Sequence, residues 1–112
     1  MATNELKAVA RRAILEGRGR SRPAARKAAF DGESEPGAPA AVAAYVVKVR
    51  DTAYKVTDDD VAALRAAGLD DDHIFELSVA TAIGQATRQY DAAVAALDAA
   101  LAARDGGGTG AG

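Results

Sequence analysis

The C-terminal part of the chain constrains the fold most, because it is a long stretch in which little interrupts a helix. From Asp70 to about Arg104 there is no proline, glycine occurs once, and alanine, the residue with the highest helix propensity, predominates. This composition predicts the longest helix of the protein. A helix of that length must pack its apolar side against other helices. We therefore expect an all-α protein, a compact helical bundle of about five helices that ends in a long C-terminal helix.

The apolar residues of this helix fall into a short heptad pattern. Steps of four and three alternate through the series Ile83, Thr87, Tyr90, Val94, Leu97 and Leu101. This spacing suits a neighbouring helix, either in the same chain or in another subunit. Gly84 lies inside the pattern, where glycine is a poor helix residue, and it predicts a close helix crossing or a kink.

Two acidic runs mark the beginnings of helices. Thr57 followed by Asp60 fits a capping box, and the short helix that it opens should end at Gly68 in a left-handed helix stop. The run Asp70-Asp71-Asp72 repeats the acidic cap before the long helix, where the helix dipole favours negative charge. The calcium-loop pattern, with its glycine and distal glutamate, is missing. We interpret both runs as caps and expect no bound metal.

Proline and glycine divide the rest of the chain. The patterns predict a helix from about residue 4 to 16, a short helix from Pro23 to about Phe30, and a helix from near Pro39. The apolar face of the last of these comprises Val42, Tyr45, Val46, Val49 and Ala53. We divide the chain into a basic N-terminal helical arm and loop (residues 1–37), a helical domain (38–104) and a flexible glycine-rich tail (105–112).

Charge is divided unevenly along the chain, whose net charge is −2. Residues 1–30 hold eight Lys/Arg and two Asp/Glu, a net of +6, whereas residues 31–112 hold six and fourteen, a net of −8. Such an arm either binds an anionic partner or folds against the acidic body of its own chain, and we favour the second interpretation. A helix-turn-helix pattern around Gly68 presents three aspartates where DNA would bind, so no specific nucleic acid partner is expected.

The chain has no cysteine, which excludes disulfides, zinc–thiolate sites and thiol nucleophiles. Its first residues carry no apolar run of signal-peptide length, and no apolar run anywhere is long enough to span a bilayer. We therefore expect a cytoplasmic protein without a membrane partner.

The block VTDDDVAALRAAGLDDDHIFELSVATAIGQATRQYDAAVAAL, residues 56–97, resembles the carboxymuconolactone decarboxylase and alkylhydroperoxidase-D-like superfamily. Members of that superfamily show a helix, an Ala-Gly turn, an acidic cap, and Ile-Phe-Glu-Leu leading a long alanine-rich helix. The resemblance covers roughly residues 40–101. It implies that residues 38–104 form an alkylhydroperoxidase-D-like bundle that assembles into homo-oligomers, often trimers or hexamers.

The reactive residues of that family are not carried over to this chain. Counted back from Gly68, the two cysteines of the thiol peroxidase branch fall on Ala53 and Val56. The histidine four residues after the second cysteine falls on Asp60. In the decarboxylase branch the matching positions tend to be Glu and His, and here they are again Val56 and Asp60. Because peroxide reduction needs a thiolate and a resolving thiol, thiol-dependent peroxidase activity is excluded, and neither family mechanism is expected.

Four residues are candidates for a thiol-independent catalytic site: His73, Glu76, Tyr54 and Lys55. His73 and Glu76, three apart on one helical face, suit an acid–base pair, but we favour a first-turn surface histidine without catalytic function. Tyr54 and Lys55 lie between the lost cysteine positions and suit the lining of a pocket. Further polar lining could come from Arg50, Gln85, Arg88 and Tyr90. No cofactor is indicated.

These observations favour a non-catalytic or chemically repurposed alkylhydroperoxidase-D-like protein that acts as an oligomeric scaffold or as a partner subunit. Its expected partners are further copies of the chain and a second protein. The alternatives are a thiol-independent, decarboxylase-like acid–base enzyme that uses the four candidates, and a small-molecule binding protein.

Overall fold

A computed structural model describes residues 22–111 and, before them, residues 5, 8, 9, 11 and 12. Its elements are helix α1 (Pro23–Phe30), helix α2 (Ala40–Thr52), a 3₁₀ turn (Ala53–Lys55), helix α3 (Asp58–Ala66) and helix α4 (Asp71–Ala111). Every element in this part of the chain is helical, so the prediction of an all-α protein that ends in a long helix is confirmed there.

The described residues form four helices, against the prediction of about five. The additional helix was predicted for about residues 4–16, most of which lie outside the described residues; the five that are described there have helical backbone. The short helix from Pro23 to Phe30 and the helix after Pro39 are confirmed. The division of the chain into arm, domain and tail remains a prediction.

The core lies where α1, α2 and α3 pack against the first half of α4. Its buried apolar residues are Ala29, Tyr45, Val46, Leu64, Ile74, Leu77 and Ala80. The predicted inward positions of α2 are borne out best at Tyr45 and Val46, which are buried, and the Tyr45 hydroxyl lies 2.6 Å from the Ser78 hydroxyl. At Ala53 the prediction of a buried position is wrong: α2 ends at Thr52, and the 3₁₀ turn carries Ala53 to the surface.

The hairpin between α3 and α4 is built as the acidic runs predict. The Asp60 carboxylate accepts a hydrogen bond of 2.8 Å from the Thr57 backbone N–H, which is the reciprocal half of a capping box. At the other end of α3, Gly68 has φ of +99°. The N–H groups of Gly68 and Leu69 donate to the carbonyls of Arg65 and Leu64, which defines a Schellman motif.

The second acidic run caps α4. The Asp70 carboxylate accepts a hydrogen bond of 2.8 Å from the His73 backbone N–H, which would otherwise have no partner inside the helix. Asp71 and Asp72 occupy the first turn, where their charge is favourable. Both acidic runs therefore act as helix caps.

Gly84 marks a close helix crossing, as its position in the heptad pattern predicts. The C-terminal end of α1 lies directly on α4 here, and a Cβ atom at position 84 would overlap the carbonyl group of Phe30. Arg88 donates a hydrogen bond to that Phe30 carbonyl, and Arg50 donates one of 2.9 Å to the carbonyl of Gly32. Two guanidinium groups thus satisfy carbonyls at the end of α1 that a helix leaves without partners.

Helix α4 gives the molecule its elongated shape. It has 41 residues and ends at Ala111, beyond the end predicted near Arg104. The principal extents are 65 × 29 × 23 Å, and the long one matches the length of about 60 Å expected for such a helix. The compact bundle that the sequence predicts is therefore confined to the first half of α4, because from residue 89 to 105 every side chain is exposed. Within the described residues, no helix combines the length and apolar character needed to cross a membrane.

Candidate functional site

The positions that the resemblance assigns to reactive groups hold structural residues. Ala53 is exposed in the 3₁₀ turn, and Val56 is half-buried against the core. Asp60 accepts hydrogen bonds of 2.8 and 3.0 Å from the Lys48 ammonium group, in addition to the bond from Thr57. Two hydrogen bonds hold the pKa of the Asp60 carboxyl below its ordinary value. The larger effect comes from the Lys48 ammonium group and the smaller one from the Thr57 backbone N–H. Asp60 is thus a charged cap engaged by two partners.

The four acid–base candidates do not line a common cavity. Tyr54 is 84% exposed in the 3₁₀ turn, and the Lys55 ammonium lies 5.8 Å from the centre of its ring. His73 and Glu76 are half-buried in the first turns of α4, and His73 lines an open surface cavity that the other three candidates do not line. The structure therefore does not bring the four together as an acid–base enzyme would require. The described residues also hold no cluster of three His, Asp or Glu side chains suited to a metal ion.

His73 lines an open cavity of about 470 Å³ between α1, the loop before α2, and the beginning of α4. Most of its wall is apolar and comprises Ala25, Pro36, Ala38, Pro39, Val42, Leu69 and Leu77. An ion pair between Arg22 and Glu35 belongs to the same wall. Sequence reasoning missed this cavity, because it depends on how the loop of residues 31–39 folds over the start of α4.

Of the additional polar residues predicted as pocket lining, Arg50 and Arg88 bind backbone carbonyls, and Arg88 also lines a surface depression. Arg50 pairs with Asp51, and this hydrogen bond raises the pKa of the Arg50 guanidinium and lowers that of the Asp51 carboxyl. The Arg88 guanidinium donates a hydrogen bond of 2.9 Å to the side-chain oxygen of Gln85, which helps to orient it. Tyr90 lies farther along α4, on its exposed part.

Before α1, two described residues of the basic arm, Ala8 and Arg11, lie beside the rest of the chain. The guanidinium of Arg11 lies 5.6 Å from the centre of the Phe30 ring. Ala8 and Arg11 also line a depression together with Thr87, Arg88 and Asp91 of α4. This arrangement is in keeping with the expectation that the arm folds against its own chain.

The second half of α4 presents four large apolar side chains along one stripe. Tyr90, Val94, Leu97 and Leu101 are 42%, 37%, 58% and 46% exposed. We call these four residues the distal stripe. Three aspartates at heptad spacing form an acidic row along one side of it: Asp91 follows Tyr90, Asp98 follows Leu97, and Asp105 follows Arg104. The alanines Ala86, Ala93 and Ala100 run along the other side.

In the described part of the chain, the fold and these surfaces define a class: an all-α protein with a small core, a mostly apolar cavity beside His73, and a long helix whose apolar stripe reaches beyond the core. Sequence reasoning found the stripe but left open whether another helix of the same chain covers it. In the described part of the chain, no core helix does so. Comparison with protein-family models, with curated proteins and with solved structures gave no match to this chain.

Proposed function

We propose that the protein is a non-catalytic subunit, similar in fold to the alkylhydroperoxidase-D-like proteins, that acts by associating through the distal stripe of α4. Its partner is a further copy of the chain or a second protein that offers a matching helix. The observation that carries this proposal is the placement of four large apolar side chains on one exposed face.

The exposed stripe is unusual because its members are contiguous. Other large apolar side chains are exposed in this protein, including Val47, Tyr54 and Phe75, but they lie on different elements. Single exposed apolar residues are normal on a protein surface, whereas a contiguous patch is typical of an interaction site. In a heptad arrangement such a patch fits the side of another helix.

The state of the family's reactive positions supports a function without catalysis. Peroxide reduction through a thiol is excluded because the chain has no cysteine. Asp60, at the histidine position, is committed to Lys48 and to the cap of α3. A carboxylate engaged in this way, with a lowered pKa, is a poor general base near neutral pH.

The test is the mass of the protein in solution as a function of concentration, measured by sedimentation equilibrium. The natural chain should exceed the monomer mass as concentration rises, and Leu97→Asp should reduce it to a monomer. Ala92→Asp is the matched control, because Ala92 lies on α4 outside the distal stripe. Both variants should keep the helical circular dichroism of the natural chain.

Two results would contradict the proposal. One is a natural chain that remains monomeric at all concentrations and binds no helical partner. The other is turnover of an organic hydroperoxide with a dithiol reductant, which would show that the chain is catalytic.

A second candidate function, small-molecule binding, rests on the cavity beside His73. Its volume and its mostly apolar wall with a few polar groups are typical of ligand sites. Because the chain has one histidine, the Hε1 proton of its imidazole gives one NMR signal that can be assigned without ambiguity. Added indole should shift that signal, and Ala25→Leu, which narrows the cavity, should weaken the shift. An unchanged signal at millimolar indole would exclude this function for aromatic ligands.

A further inference from the structure

We infer that the distal stripe pairs with the same stripe of a second copy of this chain, with the two helices parallel. This inference rests on the proposed association through α4 and adds the identity and the direction of the partner. It follows from the side chains within the stripe and from those on its two flanks.

One pair of residues within the stripe has the types that favour a parallel two-stranded coiled coil. In heptad notation Val94 and Leu101 take position a, and Tyr90 and Leu97 take position d. A β-branched residue at a followed by leucine at d favours two parallel strands. Val94 and Leu97 form this pair at the middle of the stripe.

The two flanks differ in charge, and that difference selects the direction. The acidic row Asp91, Asp98 and Asp105 occupies the three successive e positions, and Ala86, Ala93 and Ala100 occupy the g positions. In a parallel pair each e position faces a g position of the second helix, so carboxylates lie beside alanine methyl groups. In an antiparallel pair e faces e, which would place the two acidic rows side by side. Like charges on neighbouring side chains repel each other, so the acidic row disfavours the antiparallel arrangement.

The structure sets the length of the pairing region. Thr87 and Ile83, the earlier members of the heptad pattern, are half-buried in their own chain, so the available seam begins at Tyr90. Leu101 ends the apolar series, because Arg104 holds the next d position. The seam from Tyr90 to Leu101 is about 17 Å long. Interfaces of this small size are typical of weak association, so the dimer should form at high protein concentration.

Because the chain has no cysteine, single introduced thiols can show whether the two helices run parallel or antiparallel. Leu101→Cys introduces a single thiol near one end of the seam, and Tyr90→Cys introduces one near the other end. In a parallel dimer each variant faces its own position in the second copy, at a separation that a disulfide can span. In an antiparallel dimer with the stripes aligned, position 90 faces position 101, and two residues at position 101 lie about 16 Å apart.

The test is mild oxidation of the full-length variants at high protein concentration. Leu101→Cys alone and Tyr90→Cys alone should each form a disulfide-linked dimer. A mixture of the two, separated by mass, should contain much less of the mixed dimer than of the two same-site dimers. Ala92→Cys, outside the stripe, is the control for random collision and should crosslink at least tenfold more slowly.

Three other results would overturn the inference in distinguishable ways. A dominant mixed dimer would show association with the opposite direction, which leaves the proposed function intact. Crosslinking of both stripe variants no faster than the control, together with a monomeric natural chain in sedimentation, would remove the self-association itself. A natural chain that is dimeric while neither stripe variant crosslinks would place the interface elsewhere.

Discussion

The two halves of α4 have the same helical backbone and very different surroundings. In the proximal half, from Asp71 to Arg88, apolar residues such as Leu77 are buried against α1, α2 and α3. In the distal half, from residue 89 to 105, every side chain is exposed. Apolar residues at helical spacing occur in both halves, so this spacing indicates which face can be buried and not whether a partner is present in the same chain.

The two halves differ in whether other helices of the chain contact them. The C-terminus of α1 crosses α4 at Gly84 and is held by Arg88. Beyond this crossing no core helix of the described chain extends far enough to cover the stripe. Apolar surface that stays in water contributes nothing to folding stability, so the proximal half should supply most of the free energy of unfolding.

The largest expected effect comes from removing the same side chain in each half. Leu77 is 7% exposed and Leu97 is 58% exposed. Leu77→Ala should lower the free energy of unfolding by about 3 kcal/mol, because it leaves a cavity in the core. Leu97→Ala should lower it by less than about 1 kcal/mol in the dilute monomer. Urea unfolding at micromolar concentration measures both, and equal losses would break the comparison.

Gly84→Ala should have a somewhat smaller effect. The added methyl group would meet the Phe30 carbonyl, so α1 must move away from α4 and its contacts there loosen. We expect a loss of about 2 kcal/mol. Ala92→Val adds bulk to the exposed distal half and should cost at most about 0.7 kcal/mol, the range of ordinary helix propensities. Thermal unfolding of both variants checks this, and a neutral Gly84→Ala would contradict the close crossing.

Removing the cap of α3 should have an effect of about 1 kcal/mol, which is typical of capping residues. Thr57→Ala deletes the hydroxyl that lies 3.2 Å from the Asp60 carboxylate. Thr57→Ser keeps a hydroxyl and is the matched control. The loss should appear in the hydrogen-exchange protection of α3 and of the proximal half of α4. If the distal half lost protection to the same extent as the proximal half, the two halves would unfold together, and the distinction between them would fail.

The smallest expected effect is a pH dependence of the free energy of unfolding that arises from Asp60. Because its pKa is lowered in the folded protein, its ionised form stabilises the fold above its unfolded pKa of about 3.9. That stability is lost as the pH falls through the folded pKa. Asp60→Asn should therefore lose less stability than the natural chain between about pH 5 and pH 2. Lys48→Met removes the main cause of the shift and should act in the same direction. Urea midpoints measured across this range test the sign.

Local signals in the sequence predicted much of the fold. The capping box at Thr57, the helix stop at Gly68 and the acidic cap at Asp70 were all predicted, because each depends on residues a few positions apart. Gly84, a poor helix residue inside the pattern, was predicted to mark a close helix crossing or a kink, and the structure has the crossing. The helix that crosses it, α1, was not identified in advance, because that contact joins residues far apart in the chain.

The candidate site was harder to predict for the same reason. Residue types identified His73, Tyr54, Lys55 and Glu76 as chemically capable, but their convergence depends on tertiary packing: His73 lines a cavity that the other three do not line, and Tyr54 is exposed. Arg50 and Arg88 were considered as pocket lining; Arg88 does line a depression, and the two also donate hydrogen bonds to the carbonyls of Gly32 and Phe30 at and just beyond the end of α1. A long polar side chain reaches several neighbouring groups, so its sequence position alone does not select one.

The unequal anchoring of α4 has a mechanical consequence. One end of a stiff rod is fixed in a packed core and the other projects freely, so a small rotation at the fixed end becomes a larger displacement at the tip. Between Arg88 and Leu101 the rod is about 20 Å long, and a tilt of about 5° would move Leu101 by about 2 Å. A molecule bound to the distal end of α4 would therefore be displaced when the core rearranges slightly.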